Sequence, residues 1–183
     1  MNGLILSILL LAPGMASPGS DFLRELPKSD FTARLTPEAF ANADAVIVLK
    51  EQSITMQASD ITYRGEEYSG FSSSKTNVLI AKVFNDAGVS ALGSFELEYP
   101  EWYGDEFKSG FEARARVRKP DGRVVVMPSE DVAIQVAEAD RNGEVLARKA
   151  VFKVPNLAAG DLLQIEYTLT EPFVLISSGI FYY

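Results

Sequence analysis

The sequence predicts an all-β domain folded as an antiparallel β-sandwich, with one short helix near the N-terminus. Short segments of strand composition recur at intervals of about 10 to 15 residues, with turn residues between them. Phe111–Met127 joins two of these segments into a β-hairpin. The only helical pattern lies near the N-terminus, so the crossover helices that a parallel sheet needs are missing. These observations favour an antiparallel sandwich over a parallel α/β fold.

Length and composition restrict the classes of function. The 183 residues are enough for one domain, and a hydrophobic content of 47% is ample for a core. The net charge of −8 argues against a nucleic-acid-binding protein, because phosphate neutralisation needs an excess of Lys and Arg. The chain contains no Cys and no His. Disulfides, zinc sites of the Cys/His kind, and Ser-His-Asp or Cys-His catalysis are therefore excluded.

The N-terminus is predicted to be a secretory signal peptide comprising residues 1–16. Leu4 to Ala12 is an apolar run interrupted only by Ser7, and it is too short to span a bilayer. A proline-glycine pair ends the run, and small residues precede a predicted cleavage after Ala16. The alternatives are a buried strand or an uncleaved anchor. Cleavage predicts export to a periplasm or cell surface, with no transmembrane span remaining.

Residues 17–35 are predicted to form a leader or linker, because they are polar, aperiodic and contain proline. The sandwich domain is predicted to span residues 36–183. Its first element is a short helix at Thr36–Ala41, which has a threonine N-cap, proline at the first helical position and an early acid.

The first strands are predicted from branched residues and from alternation. Ala45–Glu51 is a strand that Gln52–Gln57 either continues or pairs with. Thr76–Phe84 is nearly continuously apolar, which predicts a strand buried on both faces, and Asn85–Gly88 ends it with turn residues. Ser94–Tyr99 alternates, so its aromatic and leucine side chains are predicted to face inward and its glutamates outward.

The central hairpin is the clearest local pattern. Phe111–Arg118 alternates apolar and charged residues, so one face is predicted to be dry and the other solvated. Lys119–Gly122 has the Pro-Asp-Gly chemistry of a turn, and Arg123–Met127 runs back. The remaining strands are predicted at Asp131–Val136, Val145–Val154 and Leu163–Thr170.

Four stretches, taken in order, resemble one protein family. They are Asn42–Leu49, Asn85–Val89, Arg116–Val125 and Ala150–Tyr167, the last with a Pro, a Gly-Asp turn and a strand ending in Glu-Tyr. The set is similar to the domain of unknown function found N-terminal to transglutaminase-like domains in exported bacterial proteins. The resemblance extends from about Asn42 to the end of the chain. It implies an immunoglobulin-like β-sandwich and an accessory role beside a papain-like catalytic domain.

The C-terminal residues also bear on this resemblance. Ser177–Tyr183 is apolar and aromatic, whereas chain ends are normally polar and solvated. We therefore expect a strand cut in mid-course, with a transglutaminase-like domain following it in the family. The family's catalytic Cys, His and Asp belong to that following domain, so the resemblance assigns no catalytic residue here.

Two groups of side chains are candidate binding residues. Trp102, Tyr103, Asp105 and Glu106 combine aromatic rings, which stack on sugars, with carboxylates, which bind hydroxyls or Ca²⁺. The alternative is a loop whose aromatic rings cover the end of the sandwich. The second group lies on the solvated face and near the turn of the hairpin: Arg114, Arg116 and Arg118, with Lys119 and Arg123.

The arginine group suits an anionic polymer or an acidic partner surface. The alternative is a solvated strand face paired with acids such as Glu96 and Glu98. Paired carboxylates are the one catalytic device left open, and Glu101, Asp105 and Glu106 are the candidates for a glycosidase pair.

Three functions remain as hypotheses. The first is a non-catalytic accessory module of an exported transglutaminase-like protein, using no cofactor and no metal. The second is a free-standing surface module that binds a glycan or a protein strand at a sheet edge. The third is a carboxylate-based glycosidase.

Overall fold

The computed structural model describes residues 4–7, 22–41, 43–63, 66–101, 109–176 and 179–180. Within them, the chain forms ten strands, two α-helices and one turn of 3-10 helix at Ser129–Asp131. The strands are β1 (Leu4–Ser7), β2 (Ala43–Tyr63), β3 (Glu66–Val83), β4 (Ser94–Pro100), β5 (Gly110–Arg118), β6 (Val124–Val126), β7 (Ala133–Ala139), β8 (Val145–Lys153), β9 (Leu162–Ile176) and β10 (Gly179–Ile180), and the helices are α1 (Ser29–Thr32) and α2 (Asp86–Leu92).

The strands form two sheets. The large sheet has the order β1-β2-β3-β9-β5-β6, with β10 also paired to β9, and the small sheet has the order β4-β8-β7. The β1–β2 pair is parallel and the other described pairs are antiparallel. The prediction of a mostly antiparallel, all-β fold is therefore confirmed.

Aromatic rings pack the small sheet against the inner face of the large one. The ring of Phe95 on β4 lies 4.9 Å from Phe152 and 5.1 Å from Tyr167 on β9, centroid to centroid. Tyr99 stacks on Phe111 of β5 at 5.8 Å. The buried core between the sheets consists of Ala113, Ala115, Val117, Met127, Phe152, Val154, Leu163 and Ile165.

A second core covers the outer face of the large sheet. Val48, Val78, Ile80 and Leu162 are buried there beneath side chains from the segment that precedes β2. That segment contributes Leu26, Phe31, Leu35 and Phe40. The end of β3 is therefore covered on both faces, as predicted for Thr76–Phe84.

The hairpin prediction is confirmed. Arg116 of β5 lies opposite Val126 of β6, and Arg118 lies opposite Val124. The amide of Gly122 donates to Lys119 O at 2.9 Å, and Gly122 adopts φ +90°, which a residue without a side chain tolerates. The alternation of Ser94–Pro100 is likewise observed, with Tyr99 buried and the glutamates exposed.

One helix prediction and one turn prediction are wrong. Thr36–Ala41 forms consecutive turns rather than a helix, with the amide of Ala39 donating to Thr36 O at 3.1 Å. The described N-terminal helix is α1, seven residues earlier. Asn85–Gly88 does not form a simple turn but starts α2, in which the Asn85 side chain accepts a hydrogen bond from the amide of Gly88.

Leu4–Ser7 pairs in parallel with β2. The signal peptide, its cleavage after Ala16 and the domain boundary at residue 36 stay predictions. No helix in the described part of the chain is long and apolar enough to cross a membrane.

Candidate functional site

The three arginines of β5 lie side by side on the outer face of the large sheet. Strand alternation sends Ala113, Ala115 and Val117 into the core and the arginines to the opposite side. Across the β5–β9 pair, Arg114 lies opposite Glu166 and Arg116 lies opposite Gln164. The antiparallel register therefore places two cations beside two acceptors of β9.

Glu166 is the most heavily bonded side chain at this site. It is 2% exposed, and its carboxylate accepts Arg114 Nε at 3.0 Å and Gln164 Nε2 at 2.7 Å. Arg114 Nη2 completes a two-point ion pair at 2.9 Å. The backbone amides of Leu23 and Arg24 donate to the two carboxylate oxygens at 2.9 and 3.2 Å. A buried carboxylate with five donors is well compensated for its loss of hydration.

The backbone carbonyl of Arg24 is bound to the same site. Arg24 O accepts Gln164 Nε2 at 2.9 Å and Arg116 Nη2 at 2.7 Å. Arg116 Nε in turn donates to Gln164 Oε1 at 2.9 Å. We call these four side chains, Arg114, Arg116, Gln164 and Glu166, the clamp, because together they hold the backbone of residues 23–24.

Phe22 covers the clamp. Its ring is 6% exposed, and the guanidinium carbons of Arg116 and Arg114 lie 4.2 and 5.1 Å from its centroid. Burial under this segment lowers the pKa of Arg116, while the nearby charge of Glu166 acts in the opposite direction. The arginines are thus held in a partly dehydrated layer.

The arginine group is therefore not the solvated strand face that was predicted. Arg114, Arg116 and Arg118 are partly buried, because the N-terminal segment lies across them. Glu96 pairs instead with Lys149 of the small sheet at 3.4 Å. Arg123, at the hairpin turn, is exposed and pairs with Asp121. Binding of an external anion by the arginine group stays a prediction.

The aromatic candidates Trp102, Tyr103, Asp105 and Glu106 lie outside the described residues. Glu101 is described, and its carboxylate, 7% exposed, accepts Arg148 Nε at 2.5 Å. Of the three acids considered for a glycosidase pair, only this one can be placed. Its cross-strand ion pair gives it a structural role between β4 and β8.

A cavity of about 460 Å³ opens beside the first half of β5. On this side, β6 pairs only with Arg116–Arg118, and no other described strand pairs with the first half of β5. Phe111, Tyr167 and Ile134 supply apolar lining, and Glu112, Arg114 and Thr168 supply polar lining. Burial raises the pKa of Tyr167. A mixed aromatic and polar lining is typical of sites for small organic ligands. Alternation along each strand indicated the two faces but not this cavity, which depends on where β6 stops.

The edge of the small sheet is a second feature that the sequence did not reveal. All seven side chains of β7 are exposed, including Ile134 at 40% and Val136 at 55%. Val124 and Val126 of β6 are exposed at 49% and 55%. Among the described strands β7 pairs only with β8, so its other side has no described neighbour. The alternating Ile-Gln-Val sequence was consistent with an ordinary half-buried strand, which is why the open edge went unpredicted.

No group of three or more acidic, His or Cys side chains suited to a metal ion occurs within the described ranges.

Comparisons with known proteins identify one family and two weakly similar structures. The family model described as "Domain of Unknown Function with solved-structure structure (DUF3857)" matches residues 71–181. No curated protein matches the chain. A crystal structure named as a "putative protease" from Parabacteroides distasonis aligns over 54% of this chain with 16% identity and a TM-score of 0.44. This alignment covers only 19% of that longer chain.

The second structure is the CBM3a-L domain, with flanking linkers, of scaffoldin cipA from the cellulosome of Clostridium thermocellum. It aligns over 70% of this chain and 79% of its own, with 9% identity and a TM-score of 0.31.

Proposed function

From the premise that the chain belongs to the DUF3857 family, which the match over residues 71–181 establishes, we propose a non-catalytic accessory function. The module is exported, has an immunoglobulin-like sandwich arrangement, and docks a transglutaminase-like catalytic domain through the open edge of β7. Export rests on the apolar run at Leu4 to Ala12. The catalytic partner is proposed because the sequence resembles domains that precede transglutaminase-like domains in exported bacterial proteins.

The pairing of the buried acids supports a non-catalytic role. Glu166 is held by Arg114, Asp161 by Lys119 at 2.7 Å, and Glu101 by Arg148. A carboxylate whose oxygens are bonded to a cation of the same fold is occupied by that contact. These described acids are therefore suited to holding strands together.

The open edge of β7 is the observation that carries the docking proposal. Natural edge strands are usually protected by charge, proline or a covering element. Among the described strands, β7 instead presents Ile134 and Val136 on an edge without a paired neighbour, and the exposed valines of β6 lie on an edge of the large sheet. An extended segment of a partner can add to such an edge by main-chain hydrogen bonds, with apolar side chains giving specificity.

The proposal is tested with the full chain and the transglutaminase-like domain encoded in the same genome, mixed as purified proteins. We expect binding measurable by calorimetry, and at least a tenfold loss of affinity on changing Ile134 and Val136 together to Lys. The matched control is Ile54→Lys, because Ile54 is also an exposed strand residue, at 56%, but lies on β2. No binding, or an equal loss with the control, would refute docking at β7.

The second hypothesis, a free-standing module that binds a glycan, is favoured by a different observation. The cavity beside Phe111 and Tyr167 offers aromatic surface together with hydrogen-bonding groups. In the same calorimetric experiment, binding of a purified oligosaccharide but not of the transglutaminase-like domain would favour this alternative.

A further inference from the structure

A second cavity, of about 200 Å³, lies on the same face of the large sheet as the clamp, beside the Arg118–Leu162 pair that follows Arg116 and Gln164 in the β5–β9 register. It is bounded by α1, by the end of β3 and by the turn between β5 and β6. Its lining includes three cationic side chains, Lys82, Arg118 and Lys119, and the hydroxyl groups of Ser29 and Thr32. No acidic side chain of the described residues lines it. This composition is unusual in a protein with a net charge of −8.

One of the three cations is neutralised. Asp161 is 1% exposed and accepts Lys119 Nζ at 2.7 Å and the amide of Ala158, also at 2.7 Å. Lys119 also donates to the carbonyl of Asn156. Lys119 and Asp161 thus form a balanced buried pair that shapes one wall of the cavity.

In the described part of the chain, the other two cations have neutral hydrogen-bond partners. Lys82 Nζ donates to the carbonyl of Gly160, and Arg118 Nη2 donates to Thr32 Oγ1 at 2.9 Å. Neither takes part in any ion pair among the described residues. Two positive charges therefore line a small cavity without a carboxylate of their own.

The burial of these two cations carries an electrostatic cost. Burial lowers the pKa of Lys82, and the charge of Arg118 adds to the lowering, while Asp161 opposes it. Burial likewise lowers the pKa of Arg118. A partly dehydrated charge without a counter-charge is unfavourable, and a bound anion would supply the missing compensation.

We propose that this cavity binds a phosphate dianion, either free or carried as a phosphomonoester. Its two negative charges match Lys82 and Arg118. A guanidinium fork and a lysine ammonium are a common combination for phosphate oxygens, and both groups retain donors beyond those used by Gly160 and Thr32. Ser29 adds a hydroxyl at the rim. The proposal is independent of docking at β7, which lies in the other sheet.

The test measures the thermal midpoint of the full chain while inorganic phosphate is added at constant ionic strength and pH 8. A ligand that binds only the folded state raises the midpoint in a saturable way. We expect such a rise with phosphate, and a much weaker one with acetate, which carries a single charge. Glycerol 3-phosphate distinguishes the two sources, because only a cavity that admits a phosphomonoester responds to it as well.

Two variants and a control localise the effect. Lys82→Met and Arg118→Gln are each expected to raise at least tenfold the phosphate concentration that gives half of the maximal rise in midpoint. Each rise is measured from the phosphate-free midpoint of the same variant. Arg123→Gln should respond like the parent protein, because Arg123 is 79% exposed and pairs with Asp121 outside the cavity. If Arg118→Gln does not fold, Lys82→Met with Ser29→Ala decides the question. Equal responses to phosphate and acetate, unchanged responses in the variants, or no response in the parent would each overturn the proposal.

Discussion

At the scale of single residues, Glu166 fastens the N-terminal segment to the sheet. Its carboxylate binds Arg114 and the amides of Leu23 and Arg24 at once. Gln164 holds the carbonyl of the same Arg24, so one residue of the segment is bound through both its donor and its acceptor. Such double binding fixes the position of the segment along β9, and it lets Phe22 cover the arginines.

Removing the charge of Glu166 should therefore weaken the whole clamp. We expect Glu166→Gln to lower the free energy of unfolding by about 2 to 4 kcal/mol, because Arg114 loses its counter-charge. The NH₂ group of the new side chain would also face N–H donors where the carboxylate oxygen had accepted their hydrogen bonds. Urea unfolding of the two proteins measures the difference. In the matched control, Glu96→Gln breaks a pair whose carboxylate is 62% exposed, and it should change stability by roughly 0.5 kcal/mol or less. A similar small change for Glu166→Gln would contradict the role given to the clamp.

At the scale of elements, α2 shows how a helix can resemble a turn. The Asn-Asp-Ala-Gly sequence has turn residues, but Asn85 acts as an N-cap whose side chain accepts the amide of Gly88 at 3.0 Å. Asn favours both structures for the same reason, since its side chain bonds to nearby backbone. The deciding contact is distant in sequence, because Gly88 packs against the backbone of Asp44.

Gly88 should consequently tolerate no side chain. A Cβ at this position would meet Asp44 O, which already accepts the amide of Phe84, and would lie 3.2 Å from Val83 Cγ1. We expect Gly88→Ala to destabilise the protein by about 1 to 3 kcal/mol, although alanine favours helices more than glycine does. Thermal unfolding followed by circular dichroism measures the effect. Gly110→Ala is the control, because its Cβ would meet only Thr170 Cβ, at 3.9 Å. A more stable Gly88→Ala variant would mean that α2 does not pack against β2 in this way.

At the scale of the whole molecule, the strands and their division into two sheets could be predicted, but the segment that covers the outer face of the large sheet could not. Alternation is a local property, so β4, β5, β8 and the start of β9 are evident from neighbouring residues. Alternation identifies two faces of a strand but not what covers them. The apolar run at the end of β3 was the one local sign of a second core, because it indicated burial on both sides.

The covering segment itself could not be recognised in advance. Its aperiodic, proline-containing sequence is typical of a linker, although Leu26, Phe31 and Leu35 pack on the sheet. Its bonds to the clamp are made by backbone groups, which carry no sequence signal. The arginine group was correctly placed on one face, but its burial follows from that segment. The cationic cavity depends on the same segment, since Ser29 and Thr32 form part of its wall.

The stability of the molecule should fall in alkaline solution through its buried tyrosines. Burial raises the pKa of Tyr99 above its ordinary value of 10.0, so the unfolded chain loses this proton more readily than the folded one. The stabilising contribution is thus complete below pH 10 and is lost as pH rises toward the raised pKa. The pKa of Lys82 is lowered from its ordinary value of 10.5, so the contribution of Lys82 to stability increases as pH rises toward 10.5. Variants must therefore be compared with the parent protein at each pH.

Urea unfolding between pH 8 and 11 checks this expectation. Tyr99→Phe should lose stability less steeply than the parent above pH 10, and the difference between the two proteins should be constant below pH 9. Tyr167→Phe should show the same sign, because burial raises the pKa of Tyr167 as well. Parallel curves for parent and Tyr99→Phe across the whole range would show that the phenol ionises equally in both states.

The bond from Arg24 to Glu166 spans 142 positions of the chain. During synthesis the ribosome delivers Phe22 and its neighbours long before β5 and β9 exist to receive them. Contacts between such distant residues form late, since most of the intervening chain must first be ordered. We therefore expect the outer layer to close late, so that residues 22–24 stay accessible during synthesis to any factor that binds the nascent chain.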